Sequence, residues 1–597
     1  MAYKSISVYV PMPDGVKIAV DIWLPKAATK ENKVPVAVEF TRYWRVRDGK
    51  APMDRVLYYP RLGFASAVVD CRGSGASHGF RAAEQSVAEA KDFAFVINWL
   101  AAQPWSNGSV VSVGSSYSGN TAEFAMIDAP YALKASIPRF SDFDTYTSLC
   151  FPGGLINKTF LKPWGEGVYA LDMNIMDVNL HERWHDFRHD TVKPVEEDCG
   201  RTLLRQAVED HQRNVPLHEY LAPIEYRDDF HFAGTLNEEG DRWVSPHLVQ
   251  SNARLSQVPS YHWASFNDAG TAAGAIARFM GSRAAMRVII GYWSHGAFFD
   301  TNPYKVPGLD AKPNYKEQFT HIIEGLSALK STCDEELIFA KQRVLYYYTA
   351  GEEAWKKTEV WPPKKIRTMR WYFSDNASLS QEQPQCPHGQ DRYLVDFDVG
   401  TGKQNRWVQE GGVVHYGNRA ELDERLLTYT TEPLLQTVEI TGHPVIYLQL
   451  SASQGDGAVI AYLEDVAPNG EVTLLSEGGL RLIHRKVSDA VPPYPIFGPY
   501  HSFERQDASP MVRGEIAEIG FELLPLSVQI RKGHAIRIAL AGHDKDCFDR
   551  LPRTGEQHYG IHRHLGANSY IDIPMASIEE DAEASDVVDP FCEGDCG

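Results

Sequence analysis

The chain contains no apolar run approaching the roughly 20 residues that a helix needs to cross a bilayer, which excludes a membrane-embedded protein. Positive charge is scarce. Lys and Arg number 59 against 78 Asp and Glu, for a formal net charge of −19. A surplus of acid repels phosphate backbones, so nucleic acid is not an expected partner. The eight cysteines (71, 150, 199, 333, 386, 547, 592 and 596) include no CxxC pair. They read as free, mostly buried thiols of a reducing compartment. Cys592 and Cys596 alone fall short of a four-ligand zinc set. The opening MAYKSISVYV lacks the charged start, apolar stretch and small-residue cleavage site of a secretory leader, so the expected location is the cytoplasm. No internal repeat is found. Low complexity is confined to residues 576–597, which hold eight acids and no Lys or Arg and read as a disordered tail.

What is present is ordinary for a folded protein: 597 residues, 43% hydrophobic and 23% charged. Residues 36–40 (VAVEF), 65–70 (ASAVVD) and 110–113 read as buried strands, with a helix over 87–102 between the last two. A strand near 261–266, a helix over 271–280 and a strand at 287–291 resume the rhythm, which predicts a doubly wound parallel sheet. Residues 146–250 are aromatic, charged and rich in His, and read as a helical insertion. After about 360, short runs such as 445–450 (VIYLQL) and 535–540 (AIRIAL), with turn residues at 468–470 (PNG), suggest an antiparallel sandwich. The expected organisation is a sheet domain from 1–145 and 251–355, a helical cap over 146–250, an all-β domain over 360–575 and the acidic tail.

The sharpest local signal is VSVGSSYSG at 111–119, a strand running into Gly114-Ser115-Ser116-Tyr117-Ser118-Gly119 and then a helix of small and apolar residues. Such a turn strains its central residue, and glycines two before and three after relieve the crowding. Ser116 is then presented at a helix amino terminus, where the dipole favours developing negative charge. A serine needs a base. On a doubly wound hydrolase sheet the partners follow in the order Ser, acid, His, each just after a strand. Asp268 and His295 occupy such positions.

The run DCRGSGASHG at 70–79, Trp99-Leu100, QPWSNG at 103–108, the 114–119 turn and Trp293-Ser294-His295 resemble the family of CocE/NonD hydrolases, cocaine esterase and X-Pro dipeptidyl-peptidases (peptidase S15 type). The similarity extends to the α-amino-acid ester hydrolases. It continues through Trp361-Pro362-Pro363, Gly442-His443-Pro444 and Gly533–Arg537. It implies an α/β-hydrolase sheet with a helical cap and a C-terminal jelly roll. It also implies a Ser116–His295–Asp268 triad, with the Tyr43 hydroxyl and the Tyr117 backbone N–H as oxyanion donors. Around Asp268 the chain reads Ser-Phe-Asn-Asp where the family has Gly-Trp-x-Asp. The implied chemistry is hydrolysis of an ester or amide through an acyl-enzyme, without metal or organic cofactor. Substrates would be small esters, amides or short peptides, with a dipeptidyl-peptidase or acylase as the alternative. Cap acids for a substrate ammonium would come from Glu166, Asp172, Asp177 or Glu182. Assembly into homo-oligomers is left open.

Two other patterns compete. His181-Glu182-Arg183-Trp184-His185 matches HExxH; on a helix it would face two imidazoles to a zinc ion, with Glu197 or Glu209 as third ligand. Gly73-x-Gly75 after a strand suggests a dinucleotide fingerprint, but the third glycine position is His78. The β-rich half could also serve as a carbohydrate-binding module.

Overall fold

The computed structural model describes residues 3–81, 83–127, 130–176, 179–229, 245–250, 258–330, 337, 340–578 and 587–591. Ten strands form the first sheet: β1 (Tyr3–Pro11), β2 (Lys17–Pro25), β3 (Val34–Thr41), β4 (Ala65–Asp70), β5 (Ser106–Ser115), β6 (Leu133–Arg139), β7 (Ser260–Ser265), β8 (Met286–Gly291), β9 (Val344–Thr349) and β10 (Ala354–Thr358). Their order is β1-β2-β4-β3-β5-β6-β7-β8-β9-β10. The seven strands from β4 to β9 run parallel, and antiparallel pairs flank them. Every residue of β3, β4, β7 and β8 is buried, as a parallel sheet covered on both faces requires. Helix α1 (Asp54–Arg61) precedes β4. Helix α2 (Val87–Ala101) starts at a capping box, with Ser86 accepting from Glu89 N–H and the Glu89 side chain accepting from Ser86 N–H.

The glycines at 73 and 75 shape the turn at the carboxyl end of β4, an interior strand of the sheet. Asp70 accepts from Arg45 N, Arg45 Nη1 and Ala76 N, all within 2.6–2.8 Å. A Cβ on Gly75 would lie 2.3 Å from the Asp70 carboxylate, and φ there is +58°. The turn therefore wraps a buried ion pair.

Between β6 and β7 lie α4 (Lys158–Asp172), α5 (Thr202–His211) and several single-turn pieces; α3 (Tyr117–Phe124) follows β5. The chain from Arg367 to Ser577 builds a second, 14-stranded sheet system, antiparallel except at one bridge. Strand Ala535–Ala541 is buried at every position but Arg537, so both its faces are covered. The two halves interlock: Ala350 N and Gln529 N bond to Ser527 O and Ala350 O, and Lys356 pairs with the buried Glu439 at 2.9 Å.

The acidic tail departs from expectation. Val588 N bonds Trp355 O, Arg287 donates to Pro590 O, and the Phe591 ring stacks on Trp263 at 5.8 Å. Charge composition pointed to disorder, but Val588 and Phe591 supply an apolar anchor against the sheet. Cys592 and Cys596 lie outside the described residues, as does Cys333. Of the others, Cys71, Cys150 and Cys547 are buried free thiols, whereas Cys199 is exposed and Cys386 half-buried.

Candidate active site

The carboxyl ends of β3, β5, β7 and β8 converge, the usual place for a ligand in an open α/β sheet. At the end of β5, Ser116 has φ +63° and ψ −131°, a conformation that costs a non-glycine residue on the order of 1–3 kcal/mol. The flanking sequence permits it. A Cβ on Gly114 would fall 2.0 Å from Ser118 O, and one on Gly119 would fall 2.6 Å from Arg139 O. Ser116 N donates to Arg139 O at 2.9 Å, which pins the turn to β6. Tyr117 then opens α3, so its backbone N–H is among those a helix leaves unpaired.

The loops after β7 and β8 bring Asp268 and His295 together. His295 Nδ1 lies 2.9 and 3.0 Å from the two Asp268 carboxylate oxygens. Ser265 ties the two loops by donating to Trp293 O at 2.6 Å and accepting from Trp293 N at 2.9 Å. The His295 ring meets Phe140 edge-on at 6.1 Å, one residue beyond the carbonyl that holds Ser116. Ser116 and His295 thus both pack against the 139–140 step. Arg406, from the β-rich half, donates to Phe266 O at 2.8 Å and Asn267 Oδ1 at 3.0 Å, bracing the loop that carries Asp268.

Tyr43 lies just past β3. Its hydroxyl oxygen accepts from Trp164 Nε1 at 2.9 Å, and burial pushes its pKa up. Its ring packs edge-on against Tyr117 at 6.0 Å. Beneath it runs a buried ionic lattice. Arg42 pairs with Glu84 and with Asp172 at 3.0 Å, while Arg81 pairs with Glu84 at 3.0 Å and Asp172 at 2.6 Å. Asp172 closes α4, so these charges fasten the 158–172 helix over the sheet. Tyr117 Oη donates to Glu89 at 2.9 Å at the lattice margin.

One further carboxyl lies in this region and was not singled out from the sequence. Asp142 N donates to Asn120 Oδ1 at 2.9 Å, and Asn120 sits four residues after Ser116. Burial chiefly pushes Asp142 up to about 6, with the Asp268 charge adding to it against relief from Asn120, His295 and Arg278. Its folded pKa exceeds the ordinary 3.8, so stability falls as pH rises from about 4 to about 6 and stays reduced above. Asp142→Asn should therefore stabilise the protein by up to about 3 kcal/mol at pH 8 and by little at pH 4. Melting temperatures at the two pH values check this; an equal shift at both would refute it.

The HExxH pattern does not form the expected helix. Glu182–Phe187 is a 3₁₀ helix, and His181 stands outside it as a cap accepting from Arg183 N. Three residues per turn remove the shared face that i, i+4 spacing gives an α-helix. Among the described residues no group of three His, Cys, Asp or Glu could hold a metal ion, so Glu197 and Glu209 complete no such set with His181 and His185. Of the cap acids, Asp172 is consumed by the lattice, Glu182 is exposed, Glu166 lies 3.8 Å from Lys162, and Asp177 lies outside the described residues. No helix among the described residues is long and apolar enough to cross a membrane.

Residues 14–297 match the X-Pro dipeptidyl-peptidase (S15 family) model, and 339–569 match the X-Pro dipeptidyl-peptidase C-terminal non-catalytic domain. A Mycobacterium bovis protein named as a serine esterase is 34% identical over 96% of this chain and 95% of its own. Cocaine esterase of a Rhodococcus strain is 25% identical over 92% of each chain. Among solved structures, an aminopeptidase from a marine sediment Thaumarchaeota archaeon superposes with a TM-score of 0.73 over 97% of both chains at 18% identity. An α-amino acid ester hydrolase gives 0.70 over 96% of this chain and 97% of its own, also at 18% identity, and shows the fold alone. With near full-length identity above 30% to one relative, and both halves matched, the chain belongs to the S15 family of α/β-hydrolases and is a serine hydrolase acting on ester or peptide bonds.

Proposed function

We propose that the protein cleaves small carboxylic esters through Ser116, His295 and Asp268. The strained Ser116, placed at the helix terminus on the same β6 step that the His295 ring packs against, is the observation that carries this reading. His295 takes the Ser116 proton as the hydroxyl attacks the carbonyl, and an acyl-enzyme forms. Asp268 holds Nδ1–H and stabilises the imidazolium. Water, activated by the same imidazole, releases the acid. The oxyanion is met by Tyr117 N–H and by Tyr43. Because the Tyr43 oxygen already accepts from Trp164, its own hydrogen is left to point at the oxyanion.

Tyr43→Phe is expected to lower turnover on the order of 100- to 1000-fold with little change in KM, since it removes one donor felt mainly in the transition state. Wild-type turnover in that variant would dismiss the tyrosine from the chemistry.

An ester substrate is favoured over a dipeptide. A dipeptidyl-peptidase must hold a free ammonium, and among the described cap acids named above none is left both buried and unpaired. The decisive experiment is labelling with a fluorophosphonate probe followed by digestion. A single adduct on the peptide carrying Ser116 is expected, and labelling elsewhere would overturn the assignment. A panel of p-nitrophenyl esters and X-Pro anilides then separates the two substrate classes.

A further inference from the structure

Between the helix Thr271–Gly281 and the β-rich half lies a cavity of about 180 Å³. None of Tyr43, Ser116, Tyr117, Asp268 or His295 lines it. One wall is the small-residue face Gly270, Ala273, Gly274 and Ala277, at helical spacing. Aromatic rings, Tyr494, Phe497 and Phe521 among them, face it. For scale, an engineered apolar cavity of about 150 Å³ holds benzene, so this one admits a six-membered ring with a short tail.

Its polar groups are nearly all engaged. Arg227 is held by Asp144 at 2.7 Å, and Glu477 by Arg406 at 3.2 Å. His501 sets Nδ1 3.0 Å from Lys486 O and Nε2 2.8 Å from Gly520 O, so its N–H is taken up by a backbone carbonyl. His443 accepts from Trp361 at 3.3 Å and stacks on Phe497 at 4.2 Å. Glu522 differs. Its Oε2 accepts from Phe497 N and Gly498 N at 3.0 Å each, while among the described residues no Lys, Arg or His pairs with it and Oε1 has no hydrogen bond. Burial pushes this carboxyl up, and only those two backbone N–H groups act against it.

We propose that this seam cavity binds a small organic ammonium, with the cation on Glu522 and an aromatic or aliphatic body between the helix and the rings. A desolvated carboxylate without a cation is unfavourable, and a charge-assisted bond to an ammonium removes that cost. Aromatic faces add cation–π attraction. The one guanidinium among the described lining residues, Arg227, is already paired with Asp144, which disfavours an anion. A purely apolar guest leaves Glu522 Oε1 unsatisfied.

The test is isothermal titration of the full-length protein with benzylammonium chloride and, in parallel, benzyl alcohol. Wild type should bind the ammonium at least tenfold more tightly than the alcohol. Glu522→Gln should erase that preference. Ala273→Phe, which fills the cavity from the helix side and leaves Glu522 intact, should weaken both ligands at least tenfold. Melting temperatures confirm that the variants are folded. Failure of wild type to bind the amine, equal binding of amine and alcohol by wild type, or wild-type affinities in both variants would each overturn the proposal. The titration involves no acyl transfer, so its outcome is independent of the ester reading.

Discussion

Ser116→Ala should abolish hydrolysis of p-nitrophenyl esters, with turnover falling on the order of 10⁴-fold or more and no probe adduct remaining. Folding should survive the change. Alanine keeps the Cβ that serine already carries at φ +63°, so the strain of the turn is unchanged. Ser116 N still donates to Arg139 O. The melting temperature should therefore stay close to wild type. Ser116→Gly separates chemistry from strain. It should be equally inactive yet more stable by about 1 kcal/mol, because glycine occupies that region without penalty. A Ser116→Ala enzyme that still turned over at the wild-type rate would place the nucleophile elsewhere.

Asp268→Asn should cost on the order of 10⁴-fold in turnover while leaving substrate binding nearly intact. His295 Nδ1 lies within 3.0 Å of both carboxylate oxygens, so one N–H is shared between two acceptors and the tautomer is fixed with Nε2 free as base. An amide offers an N–H donor in place of one oxygen. That donor favours the opposite tautomer, in which Nε2 carries the proton and cannot accept one from serine. The amide also loses the negative charge that stabilises the imidazolium. Retained Thr271 and Ser265 contacts should keep the loop in place. Single-turnover kinetics with unchanged KM check the split; a rise in KM with turnover intact would assign Asp268 a binding role instead.

The strain at Ser116 was legible because its cause is local: two glycines at fixed offsets leave a pattern that only such a turn explains. Asp268 and His295 could be approached by strand-end placement and chain order, and the structure brings them within hydrogen-bonding distance. Tyr43 had no signature of its own, since a tyrosine after a buried strand is ordinary, and only the family resemblance pointed to it. Arg406, Trp164 and Asp142 were not legible. Arg406 reaches the Asp268 loop across some 140 residues of sequence, and nothing near position 406 encodes that. The HExxH match stood only as a competing reading, since five residues do not fix the type of helix they form. At the carboxyl end, eight acids outweighed the few apolar residues in composition, whereas in packing Val588 and Phe591 prevailed.

The lattice of Arg42, Arg81, Glu84 and Asp172 bears on how the roof over Tyr43 can evolve or be engineered. Two guanidinium groups on the sheet side depend on a carboxylate at the end of the overlying helix. Exchanging that helix for one from another enzyme, without an acid in register, would leave two buried guanidinium groups to share the single carboxylate of Glu84. Grafting for new selectivity should accordingly begin at Trp184, whose ring packs against Tyr43 at 6.2 Å, and keep position 172 and the Trp164 donor to the Tyr43 oxygen fixed.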